Sequence, residues 1–324
     1  MSLILPVLAL VAGLALLVYS ADRFVDGAAA TARHAGMPLL LVGMVVVGFG
    51  TSAPEMIISA ISAYQGNPGL ALGNAYGSNI ANIALILGFT AVISPVAVKP
   101  SILRSELPVL TGVTLLTYIM LRNLSISRMD ASVLLLALGC VVLWWIIIAL
   151  RHQSTELVAT VVVPENIDEM SLKKALFWLV FGLTLLIVSS RMLVWGAVQI
   201  AHAFGVSDLI IGLTIVALGT SLPELAAAVA ATRKGAHDLV VGNVIGSNIF
   251  NTLAVVGIAG LIHPLDLSPE VLYRDCLLMG VLTLLLFLSA VGGRYRISRS
   301  AGAGLLAIYL VYSGYLILKV LGQA

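Results

Sequence analysis

Ten apolar stretches, each long enough to cross a lipid bilayer, constrain this chain more than any other feature. A transmembrane helix needs about 20 predominantly apolar residues, because the hydrocarbon core of a bilayer is about 30 Å thick. Of the 324 residues, 60% are hydrophobic and 10% are charged, whereas soluble proteins carry about 25% charged residues. The stretches lie at about 3–30, 38–64, 70–95, 101–121, 128–150, 172–203, 207–232, 238–262, 270–290 and 300–320. These features predict an all-α integral membrane protein with ten transmembrane helices.

One long polar stretch, at residues 151–171, divides the predicted helices into two groups of five. We expect a first five-helix unit over 1–150, a cytoplasmic linker over 151–171 and a second five-helix unit over 172–324. Ten helices leave only about a hundred residues for connections, so the sequence offers no room for a separate catalytic domain and argues against an enzyme. The lipid bilayer is the expected environment, and neither nucleic acid nor an obligate protein partner is indicated.

The distribution of Lys and Arg indicates the orientation of the chain. The connections after the first, third, fifth, seventh and ninth helices hold twelve of the 17 basic residues, and the opposite side holds four. Arg191 falls within the sixth helix. Basic residues accumulate on the cytoplasmic side of membrane proteins. Both termini are therefore expected outside the cytoplasm.

The two halves of the chain repeat one another. Residues 43–88 align with residues 212–257 at a constant offset of 169, without a gap and with 17 identities among 46 positions. Each copy contains GTSxPE followed by GNxxGSNI. Because five helices are an odd number, the second copy must enter the membrane from the opposite face. Inverted repeats of this kind are found in many secondary transporters, whose substrate sites lie near the middle of the membrane.

Two glutamates, Glu55 and Glu224, occupy equivalent positions of the repeat, deep within predicted helices. A charged side chain at the centre of a bilayer costs at least about 2.5 kcal/mol, so these carboxylates require a cation, a proton or a hydrated cavity. A protonated pair that only joins the two halves is one interpretation. The neighbouring hydroxyls favour cation binding instead, since residues three and four positions apart share a helical face. These hydroxyls belong to Thr51, Ser52, Thr220 and Ser221.

The prolines before the glutamates and the second motif add further oxygen atoms. Proline has no backbone N–H, so the carbonyls of Gly50 and Gly219, four residues before Pro54 and Pro223, are expected to be free. In the second motif, Ser and Asn are spaced four apart on one helical face. These residues are Ser78 and Asn82 in the first copy, and Ser247 and Asn251 in the second. Asn79 and Asn248 point elsewhere and are expected to have structural roles, such as bonding exposed backbone.

The candidate ligands are all oxygen atoms, and neither motif contains a thiolate or a histidine. Oxygen ligands suit Ca²⁺ and Na⁺ and disfavour zinc-like metals. Two ionised glutamates would neutralise one Ca²⁺, and the same cavity could hold several Na⁺ ions. Exchange of three Na⁺ for one Ca²⁺ would move one net charge, although the sequence does not fix this number. No cofactor is expected beyond the transported ions.

The segments GTSAPE…GNAYGSNIAN and GTSLPE…GNVIGSNIFN resemble the α-repeats of the Na⁺/Ca²⁺ exchanger family, within the calcium/cation antiporter superfamily. The resemblance covers essentially the whole chain and is closest to the compact prokaryotic members. It implies an inner-membrane location in a prokaryote, Ca²⁺ ligation by Glu55 and Glu224, and alternating access through sliding of the first and sixth helices. It also implies flanking Na⁺ sites lined by Thr51, Ser52, Ser78, Thr220, Ser221, Ser247 and the carbonyls of Gly48 and Ala217.

Departures from family patterns refine the expected transport. Potassium-dependent relatives place Asp where this chain has Asn251, which argues against K⁺ dependence. Proton-coupled relatives read GNxxE rather than GTSxPE, so Na⁺ is favoured as the counter-ion and Ca²⁺/H⁺ exchange is kept as the alternative. A passive channel and an intramembrane hydrolase are further hypotheses, the latter weak because aspartate-based proteases need aspartates. Asp22, Asp26 and Arg191 are expected outside the site, as helix-end or inter-helix contacts.

Overall fold

The computed structural model describes residues 3–154, 169–206, 211, 215, 217–292 and 295–321. Within these residues, eight helical segments are long and apolar enough to cross a membrane, and two further helices form one span bent by 42°. The predicted span at 207–232 includes residues outside the described part. The spans are Ile4–Ala35, Leu39–Thr51 with Ala53–Tyr64, Gly69–Ile93, Pro100–Asn123, Arg128–Leu150, Leu172–Ala203, His237–Ile262, Val271–Val291 and Arg299–Lys319. The chain is a helical membrane protein.

The predicted spans are divided into shorter elements, because several of them contain breaks or wider turns. The α-helices are α1 (Ile4–Ala35), α2 (Leu39–Val42), α3 (Phe49–Thr51), α4 (Ala53–Tyr64), α5 (Pro68–Ile80), α6 (Gly88–Ile93), α7 (Pro100–Arg104), α8 (Glu106–Met120), α9 (Arg128–Ser154), α10 (Leu172–Ala203), α11 (Ala217–Thr220), α12 (Leu222–Arg233), α13 (His237–Phe250), α14 (Val256–Ile262), α15 (Leu277–Gly292) and α16 (Arg299–Leu321). Turns of π-helix occupy Gly43–Gly48, Ala81–Leu87, Asn251–Val255 and Val271–Cys276, and a 3₁₀ turn occupies Leu121–Asn123.

Among the described residues, four two-residue strands lie between the helices and add to the predicted all-α architecture. Strand β1 (Val96–Ala97) pairs antiparallel with β4 (Arg296–Ile297), and β2 (Ser125–Ile126) pairs antiparallel with β3 (Leu265–Asp266). Two-residue strands carry no periodic signal that a sequence pattern could reveal. The connections joined by β1 and β4 lie six helices apart in the predicted order, and those joined by β2 and β3 lie four apart. Each pair therefore ties the first half of the chain to the second.

Helices α1 and α10 pack against each other with their backbones almost in contact. A Cβ atom added at Gly27 would lie 2.6 Å from the backbone nitrogen of Leu179, and one at Gly196 would lie 2.6 Å from the carbonyl oxygen of Pro6. Glycine at such positions lets membrane helices approach closely. The two longest helices of the described part therefore form a paired unit.

Charged side chains at the helix ends also join distant connections. Lys99 binds Asp238 at 2.5 Å. Lys234 binds Asp26 at 2.7 Å, and Asp26 is only 2% exposed. The expectation that Asp26 makes an inter-helix contact is thereby confirmed. The pair of Lys234 and Asp26 fixes the turn after α12 against α1, and the pair of Lys99 and Asp238 joins the start of α7 to the start of α13.

Candidate cation-binding site

Both glutamates lie at a break in a helix. Glu55 is in the first turn of α4 and Glu224 is in the first turn of α12, and a proline occupies the start of each helix. Proline is favourable there because its missing N–H would have no partner in a helical first turn. The partial positive charge of a helix N-terminus also stabilises a carboxylate. The sequence Pro-Glu therefore places each acid at the end of a helix that favours its negative charge.

The structure brings the two glutamates together in the interior. Glu55 is fully buried and Glu224 is 2% exposed. The Thr51 hydroxyl donates to Oδ1 of Asn243 at 3.2 Å, and the amide of the same Asn243 donates to the Glu224 carbonyl at 3.5 Å. Thr51 belongs to the first half of the chain and Glu224 to the second. Both halves therefore contribute to one polar centre.

Several buried polar atoms at this centre have no hydrogen-bond partner among the described residues. They include both carboxylate oxygens of Glu55, one carboxylate oxygen of Glu224 and the hydroxyl of Ser52. The side-chain oxygens of Asn82 and Asn251 belong to the same set. Most buried polar atoms in proteins are hydrogen-bonded, so a cluster of unbonded oxygens calls for a ligand. A cation coordinated by oxygen atoms would meet this requirement.

Asparagines of the second motif join the two halves. The Asn82 amide donates to Oδ1 of Asn248 at 3.0 Å. The Asn79 amide donates to the Thr252 hydroxyl at 2.8 Å. The structural role expected for Asn79 and Asn248 is therefore observed, but the partners in these two hydrogen bonds are side chains and not exposed backbone.

Two asparagines that the sequence analysis did not single out position the site. Asn243 Oδ1 accepts from the Thr51 hydroxyl at 3.2 Å and from the Ser247 hydroxyl at 3.4 Å. The Asn74 amide donates to the Glu55 carbonyl at 3.2 Å. Both residues are the Asn of GNxxGSNI, four positions before Ser78 or Ser247, and this repeated spacing was the signal that could have revealed them.

Some of the backbone carbonyls near the helix breaks accept hydrogen bonds from the protein. The Gly219 carbonyl, which Pro223 leaves without its helical donor, accepts from the Ser190 hydroxyl at 3.0 Å. The expectation that this carbonyl is free was therefore wrong, because α10 supplies a donor. The Gly48 carbonyl accepts from the Ser52 amide at 3.1 Å and lies 3.4 Å from the Ser247 hydroxyl.

The remaining predicted site residues lie in or beside the same interior region. Ser78, Ser221 and Ser247 are buried, and Thr220 is half-buried. Ala217 is the first residue of α11.

A known protein family matches both halves of the chain. The family model described as sodium/calcium exchanger protein matches residues 5–147 and 174–318. The chain belongs to the sodium/calcium exchanger family. The matched segments correspond to the two predicted five-helix units and omit the polar stretch between them.

Relatives of this exchanger match over nearly its whole length. It is 44% identical to the putative antiporter CaxA of Alkalimonas amylolytica, over 93% of this chain and 95% of that protein. It is 28% identical to the sodium/calcium exchanger MaX1 of Methanosarcina acetivorans, over 94% of this chain and 96% of that protein. A solved structure of the sodium-calcium exchanger NCX_Mj superposes with a TM-score of 0.82 and 32% identity, covering 96% and 98% of the two chains. The chain is therefore a compact member of the family, of the calcium and cation antiport type.

One basic residue of the exchanger departs from expectation. Arg191 was expected to lie away from the site, yet it lines a cavity of about 120 Å³ together with Pro54, Thr220 and Pro223. The guanidinium therefore stands beside the residues that surround the two glutamates.

Proposed function

We propose that this protein is a secondary antiporter that exchanges Ca²⁺ for Na⁺ across the membrane by alternating access. The observation that carries the proposal is the pair of buried glutamates with carboxylate oxygens that lack hydrogen-bond partners in the described structure. Two negative charges in the interior require positive charge close by. A bound Ca²⁺ would balance both, and replacement by Na⁺ would return the carboxylates to a neutralised state.

The proposed ligands come from both halves of the chain. Glu55 and Glu224 would coordinate Ca²⁺, since Ca²⁺ binds carboxylates and six to eight oxygens in total. The unbonded Oδ1 atoms of Asn82 and Asn251 support an amide contribution. Flanking Na⁺ sites would use Thr51, Ser52, Ser78, Thr220, Ser221, Ser247 and the carbonyls of Gly48 and Ala217.

The proposed architecture is ten transmembrane helices in two inverted repeats of five, over residues 1–150 and 172–324, joined by a cytoplasmic linker. Equivalent elements support it: at an offset of 169, α4 (Ala53–Tyr64) coincides with α12 (Leu222–Arg233). The strand pairs support alternation of the connections across the membrane, since each pair joins two connections that the ten-helix arrangement places on one side. The excess of basic residues would make the side of β1 and β4 cytoplasmic, with both termini on the opposite side of a prokaryotic inner membrane.

The paired unit of α1 and α10 is the proposed moving part. Its helices are joined to each other by close glycine packing, whereas the glutamates lie on α4 and α12. Sliding of the pair past these helices would expose the site to one side at a time, as alternating access requires.

Na⁺ coupling without K⁺ is favoured by the neutral Asn251. Both polar atoms of its amide lack partners in the described structure, which supports a place at the site for this neutral side chain instead of a third carboxylate. With two carboxylates, exchange of three Na⁺ for one Ca²⁺ would be electrogenic.

A flux assay in liposomes tests the proposal. Liposomes that contain the purified protein should take up Ca²⁺ when an outward Na⁺ gradient drives the exchange. Glu55→Gln and Glu224→Gln should each abolish this uptake. Glu270→Gln is the matched control, because Glu270 is exposed and pairs with Lys319 at the helix ends. Ca²⁺ uptake that needs no counter-ion gradient would reject antiport and favour a channel.

Ca²⁺/H⁺ exchange through the same glutamates is the second candidate. A carboxylate can release a bound cation on protonation, and the two buried glutamates would serve this purpose equally well. Imposing a pH gradient and a Na⁺ gradient separately distinguishes the two counter-ions, and a K⁺ gradient tests the predicted K⁺ independence.

A further inference from the structure

Two cavities occupy equivalent positions in the two halves. The first, here called the Arg191 cavity, has a volume of about 120 Å³ and is lined on α10 by Ile187, Ser190 and Arg191. The second, the Asp22 cavity, has a volume of about 230 Å³ and is lined on α1 by Val18, Ala21 and Asp22. The offset of 169 relates each of these three pairs of residues. The repeat thus places opposite charges at one equivalent position.

Both charges lie near the middle of their helices. Asp22 and Arg191 are each within about 5 Å of the midpoint of α1 or α10, at 1.5 Å per residue. Neither forms an ion pair with another described residue. A charge at such depth faces water or a partner and not lipid. The two cavities are therefore hydrated.

Each cavity borders a segment that carries a glutamate. The Arg191 cavity reaches Pro54 and Pro223, the residues before Glu55 and Glu224. The Asp22 cavity is bounded by Leu222 and Leu225, which flank Pro223 and Glu224. The cavities therefore approach the same centre along different helices, one beside α10 and the other beside α1.

Other charges near α1 do not cancel the contrast. Arg233 lines the Asp22 cavity together with Asp22, so the charges in the described lining of that cavity balance. Arg23 stacks over the rings of Tyr19 and Trp178 at 5.6 Å. Asp26 is paired with Lys234. Among the described residues that line the Arg191 cavity, none is acidic.

We infer that Asp22 and Arg191 make the two access routes to the cation site electrostatically unequal. Asp22 offsets the charge of Arg233 in its cavity, whereas Arg191 leaves the other cavity positive and repels cations from it. Helices α1 and α10 pack antiparallel, with Gly13 beside Leu193 and Gly27 beside Leu179, so their C-terminal ends lie on opposite sides; we call these sides the Asp22 face and the Arg191 face. Half-saturation by Ca²⁺ therefore requires a lower concentration at the Asp22 face than at the Arg191 face. Ca²⁺ is collected at the Asp22 face and released at the Arg191 face. The inference rests on the proposed antiport.

The charge of the ion sets the size of the effect. Coulomb energy is proportional to ionic charge. A potential that changes the binding constant of one Na⁺ by a given factor therefore changes the binding constant of Ca²⁺ by the square of that factor. Removing one charge from a hydrated cavity is expected to change the half-saturating Ca²⁺ concentration by roughly threefold to tenfold. The change should diminish as ionic strength rises.

The test measures Ca²⁺ half-saturation separately at each face, in right-side-out and everted membrane vesicles. Arg191→Gln should lower the half-saturating Ca²⁺ concentration at the Arg191 face, and Asp22→Asn should raise it at the Asp22 face. The exchange of both charges, Asp22→Arg with Arg191→Asp, should reverse the order of the two faces. Arg191→Lys should behave as the wild type, which separates charge from packing.

Matched controls remove the same charges from exposed positions outside both cavities. Arg104→Gln and Asp266→Asn are suitable, since both side chains are exposed, Arg104 at the end of α7 and Asp266 in β3. Equal shifts of the half-saturating Ca²⁺ concentration in Arg191→Gln and Arg104→Gln would overturn the inference. So would a variant that changes the half-saturating concentrations of Na⁺ and Ca²⁺ by the same factor. Absence of Na⁺-driven Ca²⁺ exchange in the wild type would overturn the proposed function, and the inference with it.

Discussion

The side-chain amide of Asn82 donates a hydrogen bond of 3.0 Å to Oδ1 of Asn248, which joins the second motifs of the two halves. Both residues are about 1% exposed. Asn248→Ala would leave the Asn82 amide without its acceptor in a buried environment. Loss of a partner of this kind costs about 1–3 kcal/mol, and we expect a lower Tm in detergent. Asn67→Ala is the control, because Asn67 is exposed and makes no side-chain cap at α5. An unchanged Tm in Asn248→Ala would contradict the prediction.

Equivalent glycines of the repeat should differ in their tolerance of alanine. A Cβ atom at Gly246 would collide with the backbone of Met44, including its carbonyl oxygen, whereas one at Gly77 meets no described atom within 4 Å outside its own helix. Backbone cannot move as a flexible side chain can. Gly246→Ala should therefore prevent stable folding or lower Tm strongly, and Gly77→Ala should leave Tm nearly unchanged. Thermal unfolding of both variants under identical conditions measures the difference, and similar Tm values would refute it.

This contrast shows where sequence reasoning ends. The sequence predicted the equivalent positions of the two glutamates, the prolines before them and most span boundaries, because these follow from local composition and spacing. The repeat gives Gly77 and Gly246 equivalent positions and does not distinguish them, since no pattern within either copy specifies how the halves face each other. The π-helical turns of the described residues have no hydrophobic period of their own. Arg191 was expected as a helix-end or inter-helix contact, because it belongs to neither repeated motif.

A third carboxylate at Asn251 should tighten Ca²⁺ binding. Both polar atoms of the Asn251 amide lack partners in the described structure, so the side chain is available to a bound ion. Asn251→Asp adds a negative charge near Glu55 and Glu224, and Coulomb attraction should lower half-saturating Ca²⁺ by about tenfold at alkaline pH. Asn251→Ser removes the amide without adding charge and should not show this gain. Ca²⁺-dependent flux in liposomes compares the two variants, and equal affinities would contradict the prediction.

Acid should weaken Ca²⁺ binding at the proposed site. A carboxylate coordinates Ca²⁺ only when deprotonated, so protons compete with the cation. Half-saturating Ca²⁺ should therefore rise as pH falls, by up to about tenfold per pH unit for each proton displaced. Two glutamates allow a limiting dependence of two protons. Glu270→Gln should retain the wild-type slope, because Glu270 lies outside the site. A pH-independent half-saturation across the acidic range would exclude carboxylate ligation.

The ion pair between Lys234 and Asp26 should stabilise the arrangement of α1 beside α12. Asp26 is 2% exposed and Lys234 is 17% exposed, with 2.7 Å between the charged atoms. Removing one partner of a largely buried pair leaves the other charge poorly compensated. A double-mutant cycle with Asp26→Asn and Lys234→Gln should therefore give a coupling of about 1–3 kcal/mol in unfolding free energy.

Because α1 is also the proposed moving helix, loss of this pair should change the transport rate at saturating Ca²⁺. Lys99→Gln, which breaks the more exposed pair with Asp238, should have a smaller effect on stability, since surface pairs contribute about 1 kcal/mol or less. A coupling energy near zero would show that this ion pair does not stabilise the position of α1 beside α12.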